Sequence, residues 1–316
     1  MRRLLPIVIS LGILGLIYGR LDLGRLRSVF LDCHPAWLTL SLAMVVPLTM
    51  MTAWRLDQLM PVGIRLGVGE SNRLILVACV YNLILPSKMG DLAKAWFMKE
   101  RGHLTGEVAT ALVLFEKGCD MMSLLLWCGF GLLLYPQKDV LFWVMTGCVL
   151  SGLVCGTVLL GSRALVGWLL RVGGQVLPVK MQPRLEKLGR AWQEMYSYFW
   201  QHPSRFSLVV GNSIIIWFFH LVQIWVFVLA LRAQAPFLAS LALAPLAILA
   251  GLLPLTFAGV GTRDAALILF FRPYLDAPTG AALGILCTLR YVLPAIGGLP
   301  FVTRYLPGLR SAKGQI

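Results

Sequence analysis

The 316-residue chain is 58% hydrophobic and only 13% charged, with a mean hydropathy of +0.79, whereas soluble domains carry about 25% charged residues. A soluble globular fold is therefore excluded. The net charge of +14 comes from 28 basic and 14 acidic residues; because the basic residues lie between apolar runs, membrane topology and anionic lipid account for them better than nucleic acid does.

The chain starts with Met1, Arg2 and Arg3 before LLPIVISLGILGLIYG. This resembles a signal peptide but has no A-x-A-like cleavage site ahead of Arg20 and Asp22, so an uncleaved first span is expected. Runs long enough to cross a bilayer, about 20 residues, centre on 4–19, 36–53, 107–135, 139–161, 206–231 and 279–303. They predict an all-α polytopic membrane protein in which 1–316 forms a single membrane domain with six full spans. Seven cysteines without a CxxC pair indicate neither a zinc site nor a disulfide framework. No cofactor or metal is expected.

Two further apolar runs are interrupted. Residues 74–86 end in LILPSKMGD, and 236–253 continue into LLPLTFAGVGTRD before a short apolar piece, 265–271. Proline removes a backbone donor and glycine frees the backbone, so Pro86 to Gly90 and Pro254 to Gly261, with Gly259 between, should act as non-helical hinges. Such backbone persists at membrane depth only when buried in protein or lining a wet cavity. The expected elements are a first broken hairpin with a surface helix (74–104) and a second broken hairpin (236–272).

If both hairpins are re-entrant and the N-terminus lies inside, the inner segments hold 19 basic residues and the outer ones 6. That asymmetry supports an inner-membrane protein with both termini cytoplasmic. Lys117, Arg263 and Arg290 stay within the membrane. The first hairpin then opens inward and the second outward, as in an inverted repeat. Residues 236–253 are also long enough to cross fully, in which case the tail changes sides unless 265–271 crosses too. Between them, 162–205 places Arg171, Lys180, Arg184, Lys187 and Arg190 among aromatics; it reads as a basic amphipathic helix on the inner surface or as a solvated connector. The pairs Gly15/Gly19, Gly152/Gly156 and Gly280/Gly284 have the spacing of close helix packing.

A charge at a span's centre costs roughly 2.5–3.5 kcal/mol on insertion scales. VLFEKGCDMMSLLL puts Glu116, Lys117 and Asp120 in one span, with Lys117 three residues from Asp120 and able to pair with it. The cluster reads as a polar cavity or ion relay, or as a neutralised structural network. Its acidic excess needs a further cation, for which Arg263 and Arg290 are the candidates. In AGVGTRDAALILFF, Arg263 and Asp264 open a half-helix after Gly259 and Gly261, where free backbone N–H groups favour an anion and Arg263 adds a bidentate phosphate donor. Equally, Arg263 could pair with Asp120 or Asp264 and lock the fold. In the first break, Asp91 suits a helix N-terminus, and Lys88 and Lys94 could gather anionic headgroups. His220 and Gln223 fit interhelical hydrogen bonds.

Four segments in order, LPSKMGDLAKAWFMKERG, ALVLFEKGCDMMSLLLW, PLTFAGVGTRDAALILFF and LRYVLPAIGGLPF, resemble the membrane region of lysylphosphatidylglycerol synthases and related stand-alone flippase-like proteins. The family's P-x-x-x-G-E falls on Pro86, Gly90 and Asp91, its E-R-x-x-D on Glu116, Lys117 and Asp120, its G-x-G-x-R-E on Gly259, Gly261, Arg263 and Asp264, and its later arginine on Arg290. Asp91 and Asp264 replace the usual Glu. Lys117 replaces Arg, and lysine cannot reproduce a bidentate guanidinium contact. The resemblance implies movement of a polar-headed lipid between leaflets; with no soluble aminoacyl-transfer domain seen, synthase activity is not expected.

The leading expectation is a lipid translocase, not an enzyme. Arg263, with Arg290, Lys117 or Lys88, would hold a lipid phosphate, and Glu116, Asp120, Asp91 and Asp264 would balance them. Membrane lipids are the expected partners, with a homo-oligomer or a lipid-modifying enzyme as further possibilities. The competing readings are a membrane-embedded transferase using a polyprenyl-phosphate-linked donor and a non-transporting scaffold.

Overall fold

The computed structural model describes residues 5–61, 63–84, 90–135, 138–162, 172, 182–252, 256 and 259–303, and among them it contains helices and no strands. Helices α1 (Leu5–Tyr18) and α2 (Leu23–Leu31) precede α3 (Pro35–Ala43) and α4 (Val45–Leu59). The last two form one apolar stretch broken at Met44. Pro47 explains the break: it has no N–H to return to the Ala43 carbonyl, and it is tolerated because it falls in the first turn of α4.

Next come α5 (Val68–Ile84) and α6 (Gly90–Glu100), the long α7 (Gly106–Leu134) and α8 (Val140–Gly161), the amphipathic α9 (Gln182–Gln201), and α10 (Pro203–Ala230). The chain then runs through α11 (Phe237–Leu252), α12 (Thr262–Phe270) and α13 (Ala277–Val302). Among the described residues, five stretches are long and apolar enough to cross a membrane: Pro35–Leu59, α7, α8, α10 and α13. Helix α1 has 14 residues and α11 has 16, which at 1.5 Å per residue reach about 21 and 24 Å, short of a hydrocarbon core of about 30 Å.

Both expected breaks separate two helices. Pro86 and Lys88 lie outside the described residues, as does Pro254. After each break the second helix folds back on the first. At Gly90 an added Cβ would run into the backbone of Tyr81, Asn82 and Ala78, so α6 approaches α5 backbone to backbone. Gly259 sits in the left-handed region at φ 76 and packs against the Gly251 carbonyl, while Gly261 has φ 102. Non-glycine residues are strained at both positions. Gly90→Val is expected to overpack this seam and cost about 1–3 kcal/mol or more; a lowered thermal unfolding midpoint in detergent would register it.

Each hairpin packs on the long helix that follows it and also on the long helix that follows the other: α6 on α7 and α5 on α13, then α12 on α13 and α11 on α7. Gly152 and Gly156 seat Leu125 and Met122 of α7, and Gly280 and Gly284 seat Ile268 and Asp264 of α12. Gly15 and Gly19 do not behave this way, since Gly15 has nothing within 4 Å and Gly19 meets only its own helix. Apolar packing forms two clusters, one around α4, α5, α6, α9 and the first half of α7, the other around the second half of α7 and α10–α13. Helices α7 and α10 pass through both. The polar positions on them, Glu116 to Asp120 and Ser213 to His220, fall where one cluster gives way to the other.

The connector is helical over its described part and docks on α7 and α10. Phe199 stacks on Phe115 at 4.7 Å between ring centroids, and Lys187 and Arg190 point away from that contact and lie toward the surface. Arg171 and Lys180, which the sequence places in the same segment, lie outside the described residues.

Candidate functional site

Helix α7 presents Glu116, Lys117 and Asp120 on neighbouring turns, and the structure closes them into a ring of six alternating charges. Arg55, near the end of α4, donates to Glu116 Oε1 at 3.0 Å, to both carboxylate oxygens of Asp120, and to Ser213 Oγ at 2.9 Å. Lys94 on α6 bonds Glu116 Oε2 at 2.6 Å and lies 3.4 Å from Asp91. Asp91 meets Lys117 at 2.6 Å, and Lys117 returns to Asp120 at 3.4 Å. Three cations and three carboxylates from three helices thus neutralise one another. Each carboxylate contacts two cations, which is the condition under which buried ions are tolerated.

This ring revises several sequence expectations. The cation that answers the acidic excess of α7 is Arg55, neither Arg263 nor Arg290. Lys94 is almost wholly buried and therefore does not gather surface headgroups. Asp91 sits in the first turn of α6, where the helix dipole suits it, yet its close partners are two lysines. Lys117 is the ring member with an open face: its side chain is 41% exposed, against 13–14% for Asp120 and Asp91.

Across the molecule, Arg263 and Asp264 open α12. Arg263 directs Nε and Nη2 at Asp264 Oδ1, at 3.0 and 2.6 Å, and Nη2 also reaches the Gly284 carbonyl at 3.0 Å and Thr288 Oγ1 at 2.7 Å. Nη1 lies 3.4 Å from the Cys287 carbonyl. Asp264 Oδ2 accepts the Gly261 N–H at 3.1 Å, holding the turn that starts the helix. Of the two readings open for Arg263, pairing with Asp264 is the one formed, and the contacts on α13 make it a lock between α12 and α13. Gly251 and Gly284 leave room for it, since a Cβ at Gly251 would sit 2.6 Å from Arg263 Cβ and one at Gly284 2.8 Å from Asp264 Oδ1.

Arg290 on α13 differs from both. It is 4% exposed, its Nη1 donates to the His220 carbonyl at 3.3 Å, and its Nη2 donates to the Tyr291 hydroxyl at 2.7 Å. Among the described residues it has no carboxylate partner, and its Nε has no hydrogen-bond partner. Gln223 donates to the Ser41 carbonyl at 2.7 Å, an interhelical bond as expected.

A cavity of about 230 Å³ joins these parts. Arg55, Asp91, Lys94, Glu116, Lys117 and Asp120 line one side, Arg263, Thr288, Arg290 and Tyr291 the other. Helix α10 runs between, with Ser213 on Arg55 and the His220 carbonyl on Arg290. Those residues are seven apart, so the two contacts are spaced by about 10 Å along the helix axis. The structure therefore brings the sequence-predicted Lys117, Glu116, Asp120, Asp91, Arg263 and Arg290 around one space, with Asp264 behind Arg263. Arg55 is the principal residue that sequence reasoning missed. Its signal is the unpaired acidic excess on α7 together with an arginine between Trp54 and Leu56 in an apolar helix.

The fold and this cavity define a polytopic helical membrane protein with buried, mutually neutralised charges at the junction of two helical hairpins. Residues 3–298 match the lysylphosphatidylglycerol synthase TM region, and the chain belongs to that family. No curated protein matches the chain.

Proposed function

We propose that the protein moves a polar-headed, phosphate-bearing lipid between membrane leaflets. The observation that carries this reading is Arg290, a buried guanidinium without a carboxylate partner among the described residues, facing a cavity that both hairpins line. A buried charge without a counter-ion is costly, so a bound anion completes the site. The cavity is smaller than the roughly 300 Å³ at which drug-sized pockets begin; it has room for a headgroup, while the tails stay in the bilayer.

The topology that suits this activity has α1 as a sixth crossing, the α5/α6 hairpin entering from inside and the α11/α12 hairpin from outside, with both termini cytoplasmic. The reciprocal packing of the hairpins supports an inverted repeat. The sidedness rests on the excess of basic residues in the segments assigned to the inner side. Among the described residues, Asp91, Glu116 and Asp120 line the cavity and each is engaged by protein cations, which does not favour any of them as a general base.

In liposomes carrying a leaflet-reporting fluorescent phospholipid, Arg290→Gln is expected to slow headgroup movement by about tenfold or more, the loss of a charge-assisted bond. Its thermal unfolding should stay near the parent, because no carboxylate among the described residues pairs with Arg290. Unchanged movement beside a working parent protein would refute the assignment.

A further inference from the structure

We infer that the cavity takes a phosphodiester lipid with one net negative charge, and that it discriminates against aminoacylated, cationic lipids and against phosphomonoesters. This rests on the translocase reading and adds the charge of the substrate to it.

The inference follows from the charges around the cavity. The six-membered ring is neutral, and so is the Arg263–Asp264 pair, of which Arg263 lines the opposite wall. Among the described arginines and lysines around the cavity, that leaves Arg290 as the one without a carboxylate partner. Arg290 lines the cavity, its Nε is buried without a hydrogen-bond partner, and its Nη groups are held by a carbonyl and a hydroxyl, with the Tyr291 ring centroid 4.8 Å from the guanidinium carbon. A phosphodiester carries one negative charge at physiological pH and matches that excess. A monoester carries about −1.5 to −2 at pH 7, and its second charge finds no uncompensated cation among the described residues.

A cationic headgroup fares worse. Glu116 is held by Arg55 and Lys94, Asp120 by Arg55 and Lys117, and Asp91 by Lys94 and Lys117. An ammonium group seeking any of these carboxylates must displace a protein cation, which then stays in the membrane interior without its counter-ion. Lys117, the open member of the ring, also turns a positive group toward the cavity. The lysine at this position offers a compact ammonium, which lacks the planar fork that grips a pair of phosphate oxygens.

The test titrates the detergent-purified full chain with phosphatidylglycerol, lysylphosphatidylglycerol and phosphatidic acid of matched acyl chains, reading occupancy by native mass spectrometry. Glycerophosphoglycerol serves as a soluble phosphodiester competitor. Phosphatidylglycerol is expected to bind about tenfold or more tighter than either of the others. That preference should vanish in Arg290→Gln and persist in part in Arg290→Lys. Equal or tighter binding of the lysyl lipid or of phosphatidic acid overturns the inference, as does selectivity surviving in Arg290→Gln. Displacement of the lipid by glycerophosphoglycerol at similar concentration overturns a lipid as the source of the phosphodiester. The parent ranking decides the matter even if a variant fails to fold. Selective binding without leaflet movement would defeat the translocase reading and leave the charge assignment standing; movement of a cationic lipid would do the reverse.

Discussion

Arg55→Ala is expected to destabilise the protein by about 3–5 kcal/mol, the cost of breaking a buried ion pair from one side. The substitution removes the residue that contacts Glu116, Asp120 and Ser213 at once. The ring is then left with two lysines against three carboxylates, so one negative charge remains in the membrane interior. Stabilities of folded domains are about 5–15 kcal/mol, and the loss is therefore large enough to show as a lower unfolding temperature and a poor yield of monodisperse protein. A neutral double variant, Arg55→Met with Asp120→Leu, is expected to recover part of the loss, because it removes one charge of each sign and fills the space with apolar atoms. If Arg55→Ala unfolds at the parent temperature, the ring does not hold α4, α6 and α7 together.

Arg263→Ala is expected to have a comparable effect for a different reason. Asp264 would lose its ion-pair partner while remaining buried, and the Gly284 and Cys287 carbonyls and Thr288 would lose a donor. About 3–5 kcal/mol is again the scale for a buried pair broken from one side. Arg263→Lys should rescue only in part, since a single ammonium cannot span acceptors arranged around a planar guanidinium. The informative comparison is with Arg290→Gln. Loss at position 263 should appear in thermal unfolding, whereas loss at position 290 should appear in lipid binding and movement. Parent-like unfolding of Arg263→Ala together with lost lipid binding would make Arg263 a ligand of the headgroup and not a lock.

Much of the architecture is legible because the bilayer imposes a coarse rule on sequence. Apolar runs of bilayer length mark α7, α8, α10 and α13, and proline with glycine inside an apolar run marks both places where a helix ends and another begins. The Glu116, Lys117 and Asp120 cluster is legible for the same reason, since three charges within one span demand burial together. Helix ends blur the signal. Arg55 and Lys94 are basic residues near the ends of apolar segments, where such residues are ordinary, and nothing local distinguishes a solvated arginine from one buried against Glu116. The glycine pair at 15 and 19 misleads in the opposite sense, because the spacing that allows close packing does not supply a neighbour.

The sequence by itself determined that the chain lives in a membrane, where its helices break, and which charges must be hidden, because hydrophobicity and backbone freedom are properties of short stretches. Which hidden charge meets which was decided only by tertiary structure. Arg55 reaches Asp120 across 65 positions and Ser213 across 158, and such pairings depend on how helices are stacked rather than on any period along the chain. The same stacking leaves Arg290 alone among the buried cations in lacking a carboxylate among the described residues, and it is that surplus charge which makes the cavity a place for an anion.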